Sequence, residues 1–320
     1  MTTANHYVLI VFTGGTISVS PSTDVSNPAL GGTQLTEGIR RYLDVPIKVV
    51  DLYRAMSESL TFSHLHRLAV FLMESMNDAD LRGVVVSHGT DTMEEVAYFI
   101  DLLGPWVKPV VFTGAMRHSE LLSADGPANL VDAIQTAAEP LSAGRGVMVV
   151  MNQEVHAARF VVKGHSTNVA AFVSPGCGPI GSVVEGIVRY YGMLPPDSRF
   201  FSLPKQDEWP RVELVRMTLG NSGLLLRACL ADRVDGVVIE GFGAGHVPDY
   251  LLQDIDALIR AGVWVWVVPR TSAGHPLLST YSTPGSEIGL RSMGVRMEEG
   301  PGYKARMRMI LQLVEILKRM

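Results

Sequence analysis

Cysteine is nearly absent. Cys177 and Cys229 are the only two in 320 residues, and their separation matches no metal-ligand spacing. That argues against a disulfide framework or a zinc site, and two free thiols suit a reducing cytosol. Charge is sparse as well: charged residues make up 18% of the chain, the net charge is -5, and no run of Lys or Arg exceeds two. A nucleic-acid surface needs a basic stripe that this chain lacks. No apolar run approaches the roughly 20 residues of a membrane helix. The opening "MTTANHYVLIVFTGG" has no basic start, and its apolar stretch Tyr7–Phe12 is too short for a secretory leader. These lacks leave a soluble, cytoplasmic protein with neither membrane nor nucleic-acid partner as the expectation. The apolar fraction of 47% is enough for a real core, and the length fits one large domain or two ordinary ones.

What is present is an alternation. Short apolar runs at Tyr7–Phe12, Ile47–Leu52, Val84–Ser87, Pro109–Thr113 and Val147–Met151 read as strands. Amphipathic segments at Phe62–Met76, Met93–Leu103 and Ala128–Ala138 lie among them and read as helices. Alternation of this kind predicts a doubly wound parallel sheet. Runs such as "VMVVM" without polar alternation suit strands covered on both faces. The stretch Tyr190–Pro210 then loses any period and is rich in Pro and polar residues. After it come strands at Val212–Met217, Gly236–Glu240 and Val263–Val268, helices at Gly223–Ala231 and Tyr250–Ala261, and a closing helix from Tyr303. The expected organisation is two α/β domains: a larger one over 1–190, a linker over 191–211, and a smaller parallel-sheet domain over 212–320.

Ligands of open α/β sheets bind outside the carboxyl ends of the strands, so the residues following each strand carry the interest. After the first strand comes "FTGGTIS", after the third "SHGTDT", after the fourth "FTGAMR" and then "SADGPAN". "TGGT" is neither G-x-G-x-x-G nor a loop ending in GK[ST], so it is a poor nucleotide loop. Gly14 and Gly15 can simply make a tight turn, or they can bring backbone close to a ligand and present the hydroxyl of Thr13. Thr92 and Glu95 fit a capping box for the next helix, which leaves Thr90 and Asp91 surplus to capping. A threonine hydroxyl is a weak nucleophile without a partner to take or polarise its proton. His88 is near in sequence; Lys163, in the apolar stretch "RFVVKGHSTN", is the other candidate.

Taken together the motifs are specific. "TGGTI" (Thr13–Ile17), "HGTDTMEE" (His88–Glu95), "TGAMR" (Thr113–Arg117), "SADGPANL" (Ser123–Leu130) and "VVKGHSTN" (Val161–Asn168) resemble, in order and spacing, the bacterial-type L-asparaginases of the asparaginase/glutaminase family. The resemblance is thinner in the second half, at "GVVIEGFGAGHVP" and "GYKARMRMILQL". It implies an amidohydrolase that converts L-asparagine to L-aspartate and ammonia through an acyl-threonine intermediate, without metal or other cofactor. By resemblance, Thr13 is the primary nucleophile on the loop after the first strand. Thr90, Asp91 and Lys163 form a second constellation, in which the lysine polarises the threonine and Asp91 also binds the substrate's α-amine. Ser57 and Glu58 of "MSESLT" hold the amino-acid head group, and Ala115 contacts the side-chain amide. Backbone N–H groups at Gly14 and Ala115 are the candidate oxyanion donors. The family also implies a homotetramer built as a dimer of dimers. The apolar "VWVWVVP" and a Met-rich last helix also favour association.

The chain departs from the family at three places. Ser18–Gln34 contains no Tyr, where members often carry one supporting the first threonine. Glu58 stands where many have Gln. His246 stands where some have an Asn reaching into a neighbour's site, and Glu287 is near an acidic position that contributes there. Comparable activity on L-glutamine or another small amide is an open alternative. So is a non-catalytic amino-acid-binding protein on the same fold.

Overall fold

The computed structural model describes residues 6–15, 31–192, 199–206 and 208–318. The chain divides into two compact units, Met1–Phe200 and Phe201–Met320.

In the first unit the elements run β1 (Tyr7–Gly14), α1 (Gly32–Glu37), β2 (Ile47–Ala55), α2 (Phe62–Ser75), β3 (Leu81–Ser87), α3 (Met93–Leu102), β4 (Val110–Thr113), α4 (Gly126–Ala138) and β5 (Val147–Met151). Five short strands follow: β6 (Glu154–Ala157), β7 (Val162–Lys163), β8 (Phe172–Val173), β9 (Gly181–Val184) and β10 (Ile187–Tyr190). The main sheet has eight strands in the order β10-β9-β6-β5-β4-β3-β1-β2. The β1 to β5 pairings are parallel, while β5–β6, β6–β9 and β9–β10 are antiparallel. The sheet is therefore mixed, a doubly wound parallel half extended by an antiparallel edge that the periodicity did not foretell.

Both faces of the parallel half are covered. Val8, Ile10, Val85, Val111 and Met148 pack against Leu130, Ala133, Ile134 and Ala137 of α4. Those four α4 residues recur at i, i+3, i+4 and i+7, the stripe one helix face presents. The alternate strand residues Leu9, Val11, Val84, Val86, Val110 and Val149 are buried too; successive strand residues point to opposite faces, so they serve the other layer. Lys163 rides on β7, which pairs with β8 in a separate two-stranded ribbon.

The second unit runs β11 (Val212–Arg216), α5 (Leu224–Ala231), β12 (Gly236–Gly241), α6 (Leu252–Arg260), β13 (Trp264–Pro269), α7 (Glu287–Ser292), β14 (Arg296–Met297) and α8 (Gly302–Leu317). Its four strands are parallel, in the order β11-β12-β13-β14. "VWVWVVP" is β13, and Val265, Trp266, Val267 and Val268 are buried in this unit. Met307 and Met309 of α8 are buried as well. Most of the segments that looked like an association surface are thus consumed by burial; exposed apolar residues of this unit include Leu219, Leu224, Leu225 and Tyr250. Among the described residues no helix is long and apolar enough to cross a membrane.

Candidate active site

In sheet order β2 lies outside β1, and β3, β4 and β5 follow on the other side, so the winding direction reverses between β1 and β3. At such a switch point the connecting loops diverge and leave a crevice at the carboxyl ends of the strands. The motif loops after β1, β2, β3 and β4 all start from this edge.

Thr13 stands next to the end of β1, at an irregularity. β1 pairs in register with β2 as far as Phe12 and Asp51, then slips so that Gly14 faces Ala55. Slips of this kind re-aim a side chain. The Thr13 hydroxyl donates to the Ser87 carbonyl at 2.9 Å and is buried, so it is not free as the sequence implied. Gly14 and Gly15 take φ of 102° and 87°. A Cβ on Gly15 would lie 2.5 Å from both N and Cα of Gly89. The glycine pair thus makes the turn and lets the β1 loop lie directly on the β3 loop. Thr16–Leu30, with most of the Tyr-less stretch, lies outside the described residues.

Gly89 in turn leaves room for Ser57: a Cβ there would lie 2.7 Å from the Ser57 Cβ and Oγ. Ser57 is buried, its Oγ accepting from the Asp91 N–H at 3.2 Å and its carbonyl from the Thr92 hydroxyl at 2.9 Å. This corrects the capping-box reading. Thr92 is the N-cap of α3 by position, but its side chain makes no capping bond. Its hydroxyl instead pins the β2–α2 loop to the β3–α3 loop. Glu58, next to Ser57, is exposed.

Lys163 meets the β3–α3 loop with its ammonium. Nζ donates to Thr90 Oγ1 at 2.9 Å and pairs with Asp91 Oδ1 at 2.5 Å. The Lys163 side chain is 14% exposed and that of Asp91 58%, so the ammonium is sheltered while the carboxylate reaches solvent. Thr90 itself is buried. His88 does not compete for the role of base. Its Nδ1 sits 2.7 Å from the Gly89 carbonyl, and burial pushes its pKa down to about 4. It is a neutral ring inside the fold.

The β4–α4 loop is held by two residues of "SADGPAN" to which sequence reasoning gave no role. Asp125 accepts the Met116 and Arg117 N–H groups at 2.9 Å each. Asn129 donates to the Gly114 carbonyl at 3.0 Å and to Asp125 at 3.1 Å, and accepts from the Asn152 N–H at 2.9 Å. Ala115, buried, is fixed between them. The available signal was the repeated choice of Asx residues just before and within a helix start, which supply acceptors for loop backbone.

In the second unit, Glu287 is buried and accepts the Thr280 and Tyr281 N–H groups at 2.6 Å each. Burial works against its charge, but those N–H groups, its own N–H and nearby His246 outweigh burial and hold the carboxyl below the usual range. His246 Nε2 lies 3.5 Å from Glu287 Oε2 and its ring packs edge-on to Tyr281.

The loops therefore gather the hydroxyls of Thr13, Ser57 and Thr90, the Lys163 ammonium and the exposed carboxylate of Asp91, with Glu58 exposed next to Ser57. This inventory suits a small zwitterion carrying a cationic amine.

Residues 7–195 match the family model "Asparaginase, N-terminal", and residues 211–314 match "Glutaminase/Asparaginase C-terminal domain". An L-asparaginase of Bacillus licheniformis is 33% identical over 313 residues, covering 97% of this chain and 96% of that protein. A glutaminase-asparaginase of Pseudomonas fluorescens is 31% identical, covering 87% of this chain and 79% of that one. Among solved structures, a probable cytoplasmic L-asparaginase from Campylobacter jejuni superposes with a TM-score of 0.87 at 30% identity, covering 97% of this chain and 95% of the other. On the match of both models across most of its length, the chain belongs to the asparaginase family.

Proposed function

We propose that this protein hydrolyses L-asparagine to L-aspartate and ammonia through an ester on Thr13. The observation that carries the reading is the contact of one sheltered ammonium, Lys163, with both Thr90 Oγ1 and Asp91, beside Thr13 at the switch point. A binding protein has no use for two hydroxyls and a lysine so placed. In the proposed reaction Thr13 Oγ adds to the amide carbon, the C–N bond breaks, and the threonine proton leaves on ammonia. Water then adds to the ester and returns the hydroxyl to Thr13. Backbone N–H groups near Gly14 and Ala115 face the developing oxyanion. Lys163 polarises Thr90. Asp91 and Glu58 bind the α-ammonium, and Ser57 orients the head group.

A second reading, comparable turnover of L-glutamine, is favoured by the printed name of the Pseudomonas relative. The cytoplasmic assignment is supported by the name of the Campylobacter relative. A homotetramer, as a dimer of dimers, is supported by the family resemblance and by Leu219, Leu224, Leu225 and Tyr250, all more than half exposed.

The test is ammonia release by the purified protein from a panel of free amino-acid amides, with chelator and without nucleotide. L-Asparagine is expected to turn over undiminished by chelation. Absence of turnover with every amide would return the protein to the binding class.

A further inference from the structure

We infer that Glu94 is a positioning residue for Lys163. The inference rests on the role given to Lys163 above. Lys163 belongs to β7, a strand of two residues paired, among the described residues, with β8 alone, and this ribbon lies outside the main sheet. A lysine on so short an element has a flexible four-carbon stem and no sheet to fix its origin. Its backbone N–H donates to Glu94 Oε2 at 2.6 Å. Glu94 is in the first turn of α3, directly after the loop that carries Thr90 and Asp91. Lys163 is thus tied at both ends to one short segment. Its amide is held by Glu94, and its ammonium is held by Thr90 and Asp91.

The two ties lie within a single turn of chain, Thr90 to Glu94, and span the length of one lysine side chain. Holding the backbone end fixes the point from which the side chain starts, which keeps Thr90 Oγ1 within reach of Nζ. The bond is also charge-assisted, a carboxylate accepting from an amide, which makes it shorter and stronger than a neutral one. The alternative role is structural. A glutamate in the first turn of a helix favours that helix through the macrodipole whatever it touches. A neighbouring first-turn glutamate, Glu95, already serves that purpose.

The two roles separate in kinetics. Glu94→Ala removes the acceptor and releases β7; Glu94→Gln keeps an acceptor oxygen and removes the charge. If Glu94 positions Lys163, Glu94→Ala lowers kcat on the order of 10-fold to 100-fold, the cost of an ångström-scale misplacement. KM for L-asparagine moves less, and Glu94→Gln recovers most of kcat. In a Lys163→Met background, adding Glu94→Ala costs nothing further in kcat, because the group it positions is gone. Thermal melts of each variant report folding. A helix-charge role predicts the reverse pattern: Glu94→Gln as harmful as Glu94→Ala, and equal losses in both backgrounds. That result overturns the inference, as does full kcat in Glu94→Ala. If Lys163→Met itself keeps wild-type kcat, the role of Lys163 fails instead.

Discussion

A hydroxyl that donates to a backbone carbonyl keeps its oxygen lone pairs for something else. Thr13 is so placed, bonded to Ser87 and shielded from bulk water. Thr90 is the complement, a hydroxyl oxygen accepting from the Lys163 ammonium. Thr90→Val keeps the shape and removes that oxygen, so kcat should fall on the order of 10²–10⁴-fold while the melting temperature changes little. Steady-state kinetics alongside a thermal melt check this. Glu58 is a binding prediction. Losing a charge-assisted bond worth about 1.5–3 kcal/mol to the substrate ammonium should raise KM roughly tenfold or more in Glu58→Gln, with a smaller change in kcat. An amide lacking the α-amine should show no such penalty. Thr13 and Thr90 stood out because their hydroxyls lie next to glycine at strand ends, where α/β sheets place ligands; Lys163 was one of two candidate partners, and Glu58 came only from the family resemblance. Thr92 was misread for a physical reason: a local motif competes with any backbone carbonyl brought near by the fold, and Ser57 is distant in sequence.

The elements divide in the same way. Parallel strands β1 to β5 and β11 to β13, and helices α2 to α4, were legible from apolar runs and stripes; the two-residue β14 was not. The antiparallel edge was not, because β6, β9 and β10 have four residues each, too few to show a period. Their hairpins turn on Asn152–Gln153 and Glu185–Gly186, all at positive φ. Only one glycine marks those two turns, so the usual hairpin signal is weak. The loops that build the site depend on close backbone contacts, and this gives two tests. Gly15→Ala would force a Cβ into Gly89 at a residue with φ of 87°, where strain alone costs about 1–3 kcal/mol. Loss of activity should accompany a lowered melting temperature. Asp125→Ala unties two N–H groups from the β4–α4 loop and frees Ala115; kcat/KM should fall by about 10-fold to 100-fold with a destabilisation of a few kcal/mol. Asp125→Asn, which keeps one acceptor oxygen, should lie between.

At the scale of the whole molecule, two buried histidines and the half-buried Asp132 set an acid response. Burial lowers His88 and His156 to about 4, and His156 is enclosed between Ser174 and Glu154. Burial raises Asp132 to about 6. Between about pH 6.5 and 4 the unfolded chain takes up protons on both histidines that the folded chain refuses, so stability falls as pH falls. Asp132 acts in the opposite sense. Its folded form binds a proton below about 6 that the unfolded form does not bind until the ordinary carboxylate range, so it offsets one histidine over that window. Each histidine contributes at most about 3 kcal/mol. Denaturant midpoints across pH 7 to 4 should decline, and His156→Gln should flatten the decline. The proposed tetramer is read by light scattering; a mass of one chain with full activity would remove it.

The central claim is that the Thr13 hydroxyl forms the ester, and the most direct test is ammonia release from L-asparagine by Thr13→Ala and Thr13→Ser. The account predicts that Thr13→Ala folds, with a melt close to that of the parent, and loses on the order of 10²–10⁴ in kcat, while Thr13→Ser, which keeps a hydroxyl, retains measurable turnover well above it. Turnover by Thr13→Ala near that of the parent would contradict it.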